Sequence, residues 1–210
     1  VIKDSVIHKT PYYDIDGMGP AGSINSTVTD MAQWLKVWIN GGKFDTLQII
    51  PSSFVADAIS SQMIMTAALP STEKPDVQFM NYGFGWMLSS YKGHYRVEHG
   101  GNITGFSAIT SFFPTDSIGI VVLVNQDGSK VPSIVRNTIA DRVLGLKYFD
   151  WNTDALNSAK KAKEFAEKNF PGKRNAFEAM MRQDKRIVEK GFSLRRMRQK
   201  DWSWLFREME

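Results

Sequence analysis

The sequence predicts an α/β fold in which an antiparallel sheet packs against helices and a helical tail follows. Three observations carry that expectation. Apolar residues recur at helical spacing in two stretches, Met31, Leu35, Trp38 and Ile39, and later Ile134, Val135, Ile139 and Val143. Between them, from Tyr82 to Val124, apolar runs of strand length are separated by turn residues. Beyond residue 150 the chain becomes charged and helix-favouring.

The elements follow in order. Residues 1–25 are rich in turn formers (Pro11, Gly17, Gly19, Pro20, Gly22) and read as an irregular approach to the first helix. Thr27 caps that helix, Asp30 supplies the acidic half of a capping-box-like pair, and Gly41-Gly42 ends it. A second helix starts at Ser52 or Ser53 and carries Val55, Ala58, Ile59 and Met63. Pro70 and Pro75 make 66–80 a loop. Tyr82 to Leu88 is expected as a single strand, with glycines at alternate positions for close packing. Lys92-Gly93 turns the chain, placing His94 at an exposed turn, and a strand runs from His94 to Glu98. Ser107–Phe113 and Ile118–Val124 form a hairpin around residues 114–117. Ile120 to Val124 is apolar on both faces and is placed in the middle of the sheet. Pro132 fits the first turn of a helix that Gly145 ends, its apolar face packed across the sheet. Three or four strands are expected in all. Residues 157–170 form a charged helix, Pro171-Gly172 breaks it, and two more helical stretches follow.

Composition bounds the function classes. With 210 residues, 42% hydrophobic and 12% aromatic, the chain is globular, and is one domain or a large piece of one. No apolar run reaches the length of a membrane-spanning helix. The absence of cysteine excludes disulfides and thiolate-bound metals and leaves the compartment open. The net charge of +4 is uneven: residues 171–210 hold 11 Lys/Arg against 6 Asp/Glu, a net +5, which leaves −1 for the rest. The basic character therefore belongs to the tail and says little about what the main body binds.

The residues that carry chemistry lie at Glu98-His99-Gly100-Gly101-Asn102, with Gly105-Phe106-Ser107 close behind. A strand runs into a side chain that can carry a proton or a positive charge, and then into two residues without side chains. Glycine removes the steric bar to a ligand lying along a strand edge. The plainer reading is a polar residue at a strand end, hydrogen-bonded to a carbonyl. His94, Glu98 and His99 do not form a metal site, because residues 94 and 98 face one side of a strand and residue 99 the other. No metal and no cofactor is expected. Gly100 to Gly105 lacks dinucleotide-binding spacing, and no helix start follows Gly83 and Gly85 to hold a phosphate.

Three stretches together resemble the C-terminal half of the serine β-lactamase and penicillin-binding-protein superfamily, in its class C β-lactamase-like branch. They are Gly19 to Leu35, Tyr82-Gly83-Phe84-Gly85-Trp86, and His99-Gly100-Gly101 with Gly105-Phe106-Ser107 and the hairpin ending at Val124-Asn125. The resemblance covers roughly residues 15–150. It implies the C-terminal portion of a β-lactamase/transpeptidase-like fold over 1–150, with 151–210 a charged helical extension. In that family a Ser-x-x-Lys supplies nucleophile and base, a Tyr-x-Asn a second proton-transfer group, and a Lys/His-x-Gly strand the opposite wall. By resemblance His99 and Gly101 form the third motif. The backbone N–H of Asn102 would be an oxyanion donor, and Gly100 and Gly105 would line the substrate's path.

The first two motifs stand upstream of the third in that family, and no match occurs here in that order. Ser89-Ser90-Tyr91-Lys92 and Ser158-Ala159-Lys160-Lys161 have the Ser-x-x-Lys spacing, but one lies at a strand end and turn and the other after the third motif. The expectation is therefore part of a serine hydrolase acting on a small-molecule amide or ester, inactive by itself, whose partner is the missing N-terminal half of the fold. The alternative is a non-catalytic binding or assembly module using the cleft or the basic tail, where Arg195-Arg196-Met197-Arg198 precedes Trp202, Trp204 and Phe206. No nucleic-acid partner is expected, since an amphipathic packing helix explains that tail. An extracytoplasmic or periplasmic location is implied by the resemblance alone.

Overall fold

The computed structural model describes residues 2–3, 6–9, 14–66 and 78–169. The helical stretches expected after Pro171, the basic and aromatic tail, and most of the 66–80 loop lie outside the described residues. The chain divides into two units, Val1–Thr153 and Asp154–Glu210.

The first unit begins with a short hairpin, β1 (Ile2–Lys3) and β2 (Val6–Ile7), where an irregular run was expected. A 3-10 turn (Asp16–Met18) and a single helical turn, α1 (Gly19–Gly22), lead to α2 (Val28–Ile39). The start of α2 is as predicted: the Asp30 N–H donates to the Thr27 hydroxyl, which itself donates to the Asp30 carboxylate at 3.0 Å. Its end is also as predicted, with Gly41 and Gly42 at φ of 64° and 90°. A tight hairpin, β3 (Lys43–Phe44) and β4 (Leu47–Gln48), precedes α3 (Ser52–Ala58). Met63 does not extend that helix but opens β5 (Met63–Thr66).

Among the described residues the sheet has six strands rather than three or four. After β5 come β6 (Met80–Tyr82), β7 (Met87–Tyr91), β8 (His94–Ile103), β9 (Phe106–Phe113) and β10 (Ile118–Val124). They form one antiparallel meander in the order β10-β9-β8-β7-β6-β5. The expected single strand over 82–88 is thus two strands. Gly85, at φ 76°, turns the chain between them. Gly83 sits so close to the Ala58 carbonyl that any Cβ would collide with it. Close packing was the right reason for one of these glycines, and backbone conformation is the reason for the other.

The register places Leu88, Val97, Phe112 and Gly119 in one row on one face of the sheet. Leu35 and Trp38 of α2, Val55 and Ala58 of α3, and Trp86 bury against that face. A Cβ on Gly119 would lie 3.2 Å from Ile39 and 3.3 Å from Leu35, so α2 rests directly on β10. The other face carries Tyr91, Ile109, Phe113, Ile120 and Val122, and Ala140 of α4 (Val131–Val143) packs on it. Among the described residues, β10 is at the edge of the sheet and not in its middle. It is apolar on both sides because helices cover both faces of the sheet. That pattern is indistinguishable in sequence from a strand flanked on both edges.

Helix α4 also differs from expectation. Pro132 starts it and Gly145, at φ 67°, ends it, as predicted. Its buried residues are Pro132, Arg136, Ala140 and Asp141, while Ile139 and Val143 are exposed. The reason is polar pairing beneath it. Arg136 pairs with Glu98 of β8, which also pairs with Arg96. Asp141 accepts from the Tyr91 hydroxyl at 2.7 Å, the Lys92 ammonium at 2.9 Å and the Trp151 indole at 2.7 Å. Burial pushes Arg96 down to about 10. Burial, with the repulsion of Arg96 added, pushes Arg136 down to about 9. Burial and the bond to Asp141 raise the Tyr91 phenol above its ordinary value. His94, expected to be exposed, is half-buried and pairs with Asp116 at 3.0 Å, which ties the β7–β8 turn to the β9–β10 turn. The last described element, α5 (Trp151–Asn169), starts earlier than the predicted helix, and beyond Thr153 it belongs to the second unit.

Candidate functional site

The site follows from a mismatch in strand length. The pairing of β7 with β8 stops at Met87↔Glu98, whereas β8 stays paired with β9 as far as Ile103↔Phe106. Among the described residues, no strand pairs with the other edge of residues 99–103. The Thr110 hydroxyl donates to the His99 carbonyl at 3.3 Å, which puts that carbonyl on the β9 side. Backbone groups alternate sides along a strand, so the N–H groups of Gly100 and Asn102 are directed to the open edge.

The four consecutive site residues read from the sequence thus lie together on this edge, with Gly105 at the tip of the hairpin. Gly105 adopts φ 93° as the second residue of the two-residue β8–β9 turn, which alone accounts for glycine there. Gly100 and Gly101 have no such account. Neither has a positive φ. A Cβ on Gly100 would make only an ordinary 3.6 Å contact, and one on Gly101 would meet nothing within 4 Å. Among the described residues, neither backbone conformation nor close packing requires glycine at these two positions.

His99 is exposed on the face opposite α4. Its Nδ1 lies 2.7 Å from the Gly100 carbonyl and its Nε2 3.0 Å from the Tyr82 hydroxyl. Tyr82 and His99 belong to strands that flank β7. They meet because β7 begins only at Met87, which leaves a gap for the tyrosine ring to cross. The rings meet edge to face, with centroids 6.0 Å apart. In the sequence Tyr82 belongs only to a strand motif; its role as the partner of His99 depends on where β7 starts, which no local pattern marks.

Asn102 is held through its side chain. Its Oδ1 accepts from the Gly128 N–H and from the Ser107 hydroxyl, each at 2.6 Å. Ser107 in turn accepts from the Ser129 N–H at 3.2 Å. These bonds fasten the loop before α4 to β8. They frame an open pocket of about 350 Å³, lined among others by Gly100, Asn102, Ser107, Ser129, Lys130 and Ser133. The pocket lies where β8, β9 and the start of α4 meet, beside Lys130, Ser107, Ser129 and Ser133. Of the two Ser-x-x-Lys matches, the first does not bring its serine and lysine together. Ser89 is buried, accepting from Arg96 Nε at 3.2 Å, while the Lys92 ammonium sits on Asp141. Ser158 is exposed on α5. No group of three or more metal-binding side chains occurs among the described residues.

Comparison with known proteins agrees with the resemblance. An unguisins hydrolase of Aspergillus violaceofuscus is 27% identical over 128 residues, which is 59% of this chain and 23% of that protein. An octameric penicillin-binding protein homologue from Pyrococcus abyssi matches with a TM-score of 0.49 and 22% identity, over 58% of this chain and 25% of that one. The chain therefore spans about a quarter of the length of either. The Beta-lactamase family model matches residues 3–144, about two thirds of the sequence, and the chain belongs to that family.

Proposed function

We propose that this chain is the C-terminal part of a β-lactamase/transpeptidase-like serine hydrolase, and that it supplies one wall of an acyl-transfer site. The carrying observation is the open edge at 99–103. It has a histidine at its start, two glycines that the fold does not require, and two backbone N–H groups directed outward. In acyl transfer a carbonyl oxygen gains charge as the nucleophile adds. A fixed N–H at hydrogen-bond distance stabilises that charge most in the transition state. Asn102 is suited to this because its side-chain bonds hold its backbone in place. Gly100 and Gly101 let the substrate approach, and the pocket beside Lys130 takes a polar or anionic substituent.

The nucleophile and its base would come from the N-terminal half of the fold, so the substrate is an amide or ester opened through an acyl-enzyme. The name of the Aspergillus relative, a hydrolase, is in keeping with this reading. The form of the binding-module alternative that uses the basic tail gains nothing from the described residues, since that tail lies outside them.

The test compares two proteins on a chromogenic β-lactam and an activated ester. The chain alone is expected to show no turnover and no covalent adduct by mass spectrometry. The intact protein is expected to turn over at least one of the two substrates and to form an adduct. An intact protein that binds such compounds without ever forming an adduct contradicts the proposal.

A further inference from the structure

We infer that Tyr82 is a positioning residue that, with the Gly100 carbonyl, holds His99 in its Nδ1–H tautomer. A carbonyl oxygen only accepts, so the 2.7 Å contact between Nδ1 and the Gly100 oxygen requires the proton on Nδ1. A neutral imidazole has one N–H, so Nε2 carries the lone pair. The Tyr82 hydroxyl, 3.0 Å away, is then the donor. Both ring nitrogens are engaged, and the edge-to-face contact leaves the imidazole little freedom to turn.

The arrangement is anchored from outside the site. Tyr82 is the last residue of β6, and the next residue, Gly83, is pressed against the Ala58 carbonyl at the end of α3. The Gly83 N–H donates to the Trp86 carbonyl at 2.8 Å and the Phe84 N–H to the Ala58 carbonyl at 3.0 Å. The tyrosine is thus fixed by backbone contacts and delivers its hydroxyl across the gap left by β7.

Two consequences follow for the site, and they rest on the reading of His99 as a site residue. The histidine is not a free general base, because its lone pair is already taken by Tyr82. A proton reaching Nε2 must displace or pass through that hydroxyl. In addition, the imidazole takes one of the two lone pairs of the Gly100 carbonyl, which leaves the Gly100 N–H as an uncommitted donor on the open edge. That donor suits an oxygen gaining negative charge.

The tautomer can be read directly by long-range proton–nitrogen correlation spectra of the nitrogen-15-labelled 210-residue chain at alkaline pH. The chain has three histidines, and a His99→Gln spectrum identifies the relevant signals. The expected result is a protonated Nδ1 and an unprotonated Nε2 in the unaltered chain. In Tyr82→Phe, which keeps the ring and loses the donor, the Nε2–H form should gain population. A dominant Nε2–H form in the unaltered chain, or the same tautomer ratio in Tyr82→Phe, overturns the inference. An intact protein without hydrolytic activity would count against the proposed function, while this measurement on the chain itself would still decide the lock.

Discussion

His99 is exposed on its strand, and exposure separates its two possible roles. A strand-end residue that serves the fold must be felt in stability when removed, whereas a site residue need not be. In the intact protein, His99→Ala should leave the melting temperature nearly unchanged and lower kcat/KM by roughly 10²-fold, the scale on which lost positioning of a substrate is felt. Gly101→Val should also fold, because its Cβ meets nothing within 4 Å, yet it should be at least as damaging by closing the strand edge. A large fall in melting temperature with normal turnover of the folded fraction would return His99 to a structural role. Asn102 allows a finer test. Asn102→Ala removes the acceptor for Gly128 N–H and Ser107, each bond being worth about 0.5–1.5 kcal/mol. Hydrogen exchange at the Gly128 amide should quicken, and Asn102→Asp, which keeps an acceptor oxygen, should restore its protection. Unchanged exchange in Asn102→Ala would show that the loop is held by something else.

At the scale of elements, the buried charges under α4 decide how β8 is held. Glu98 neighbours His99 in sequence but points to the opposite face, where it meets Arg96 and Arg136. Removing one member of a buried ionic group costs about 3–5 kcal/mol, because the others stay buried without a counter-charge. Glu98→Gln should therefore destabilise strongly in urea unfolding, and a Glu98→Gln/Arg136→Met pair should recover much of the loss. If the double variant is no better than the single one, the pair is not what holds α4 on β8. Tyr91 adds a pH dependence whose sign is fixed. Folding raises its phenol above the ordinary 10.0, so above that pH the folded state keeps a proton that the unfolded chain loses. This group's contribution is intact below about pH 10 and declines above it. Tyr91→Phe should flatten the fall in stability over that range, and an unaltered slope would contradict the assignment.

These same elements show what the sequence made legible. Local signals were sufficient wherever the cause is local: the Thr27 cap, the Gly41-Gly42 stop, Pro132 and Gly145 around α4, and the turn at Lys92-Gly93, where both residues have positive φ. They failed where the cause lies elsewhere in the fold. The apolar run of β10 reports covered faces and not flanked edges. The polar face of α4 is buried because Glu98, Tyr91 and Lys92 wait beneath it. The residues proposed as a site on β8 stand out in the sequence because paired glycines are unusual in a strand. Tyr82 and Gly128 could not be given their roles, since each acts through a residue far away in sequence.

At the scale of the whole molecule, the chain is a Beta-lactamase family member whose matched stretch covers residues 3–144. Its sheet, covered on both faces by helices, presents one strand that overhangs its neighbour, and the proposed chemistry depends on that overhang. The central claim is that the Asn102 N–H stabilises charge developing on the substrate. The most direct measurement replaces only that N–H, by an amide-to-ester substitution at Asn102 in the intact protein, leaving side chain and strand pairing with β9 in place. An unchanged fold and a fall in kcat of about 10²- to 10³-fold are expected, the scale on which a single oxyanion donor is felt. A kcat equal to that of the unaltered protein would contradict that claim.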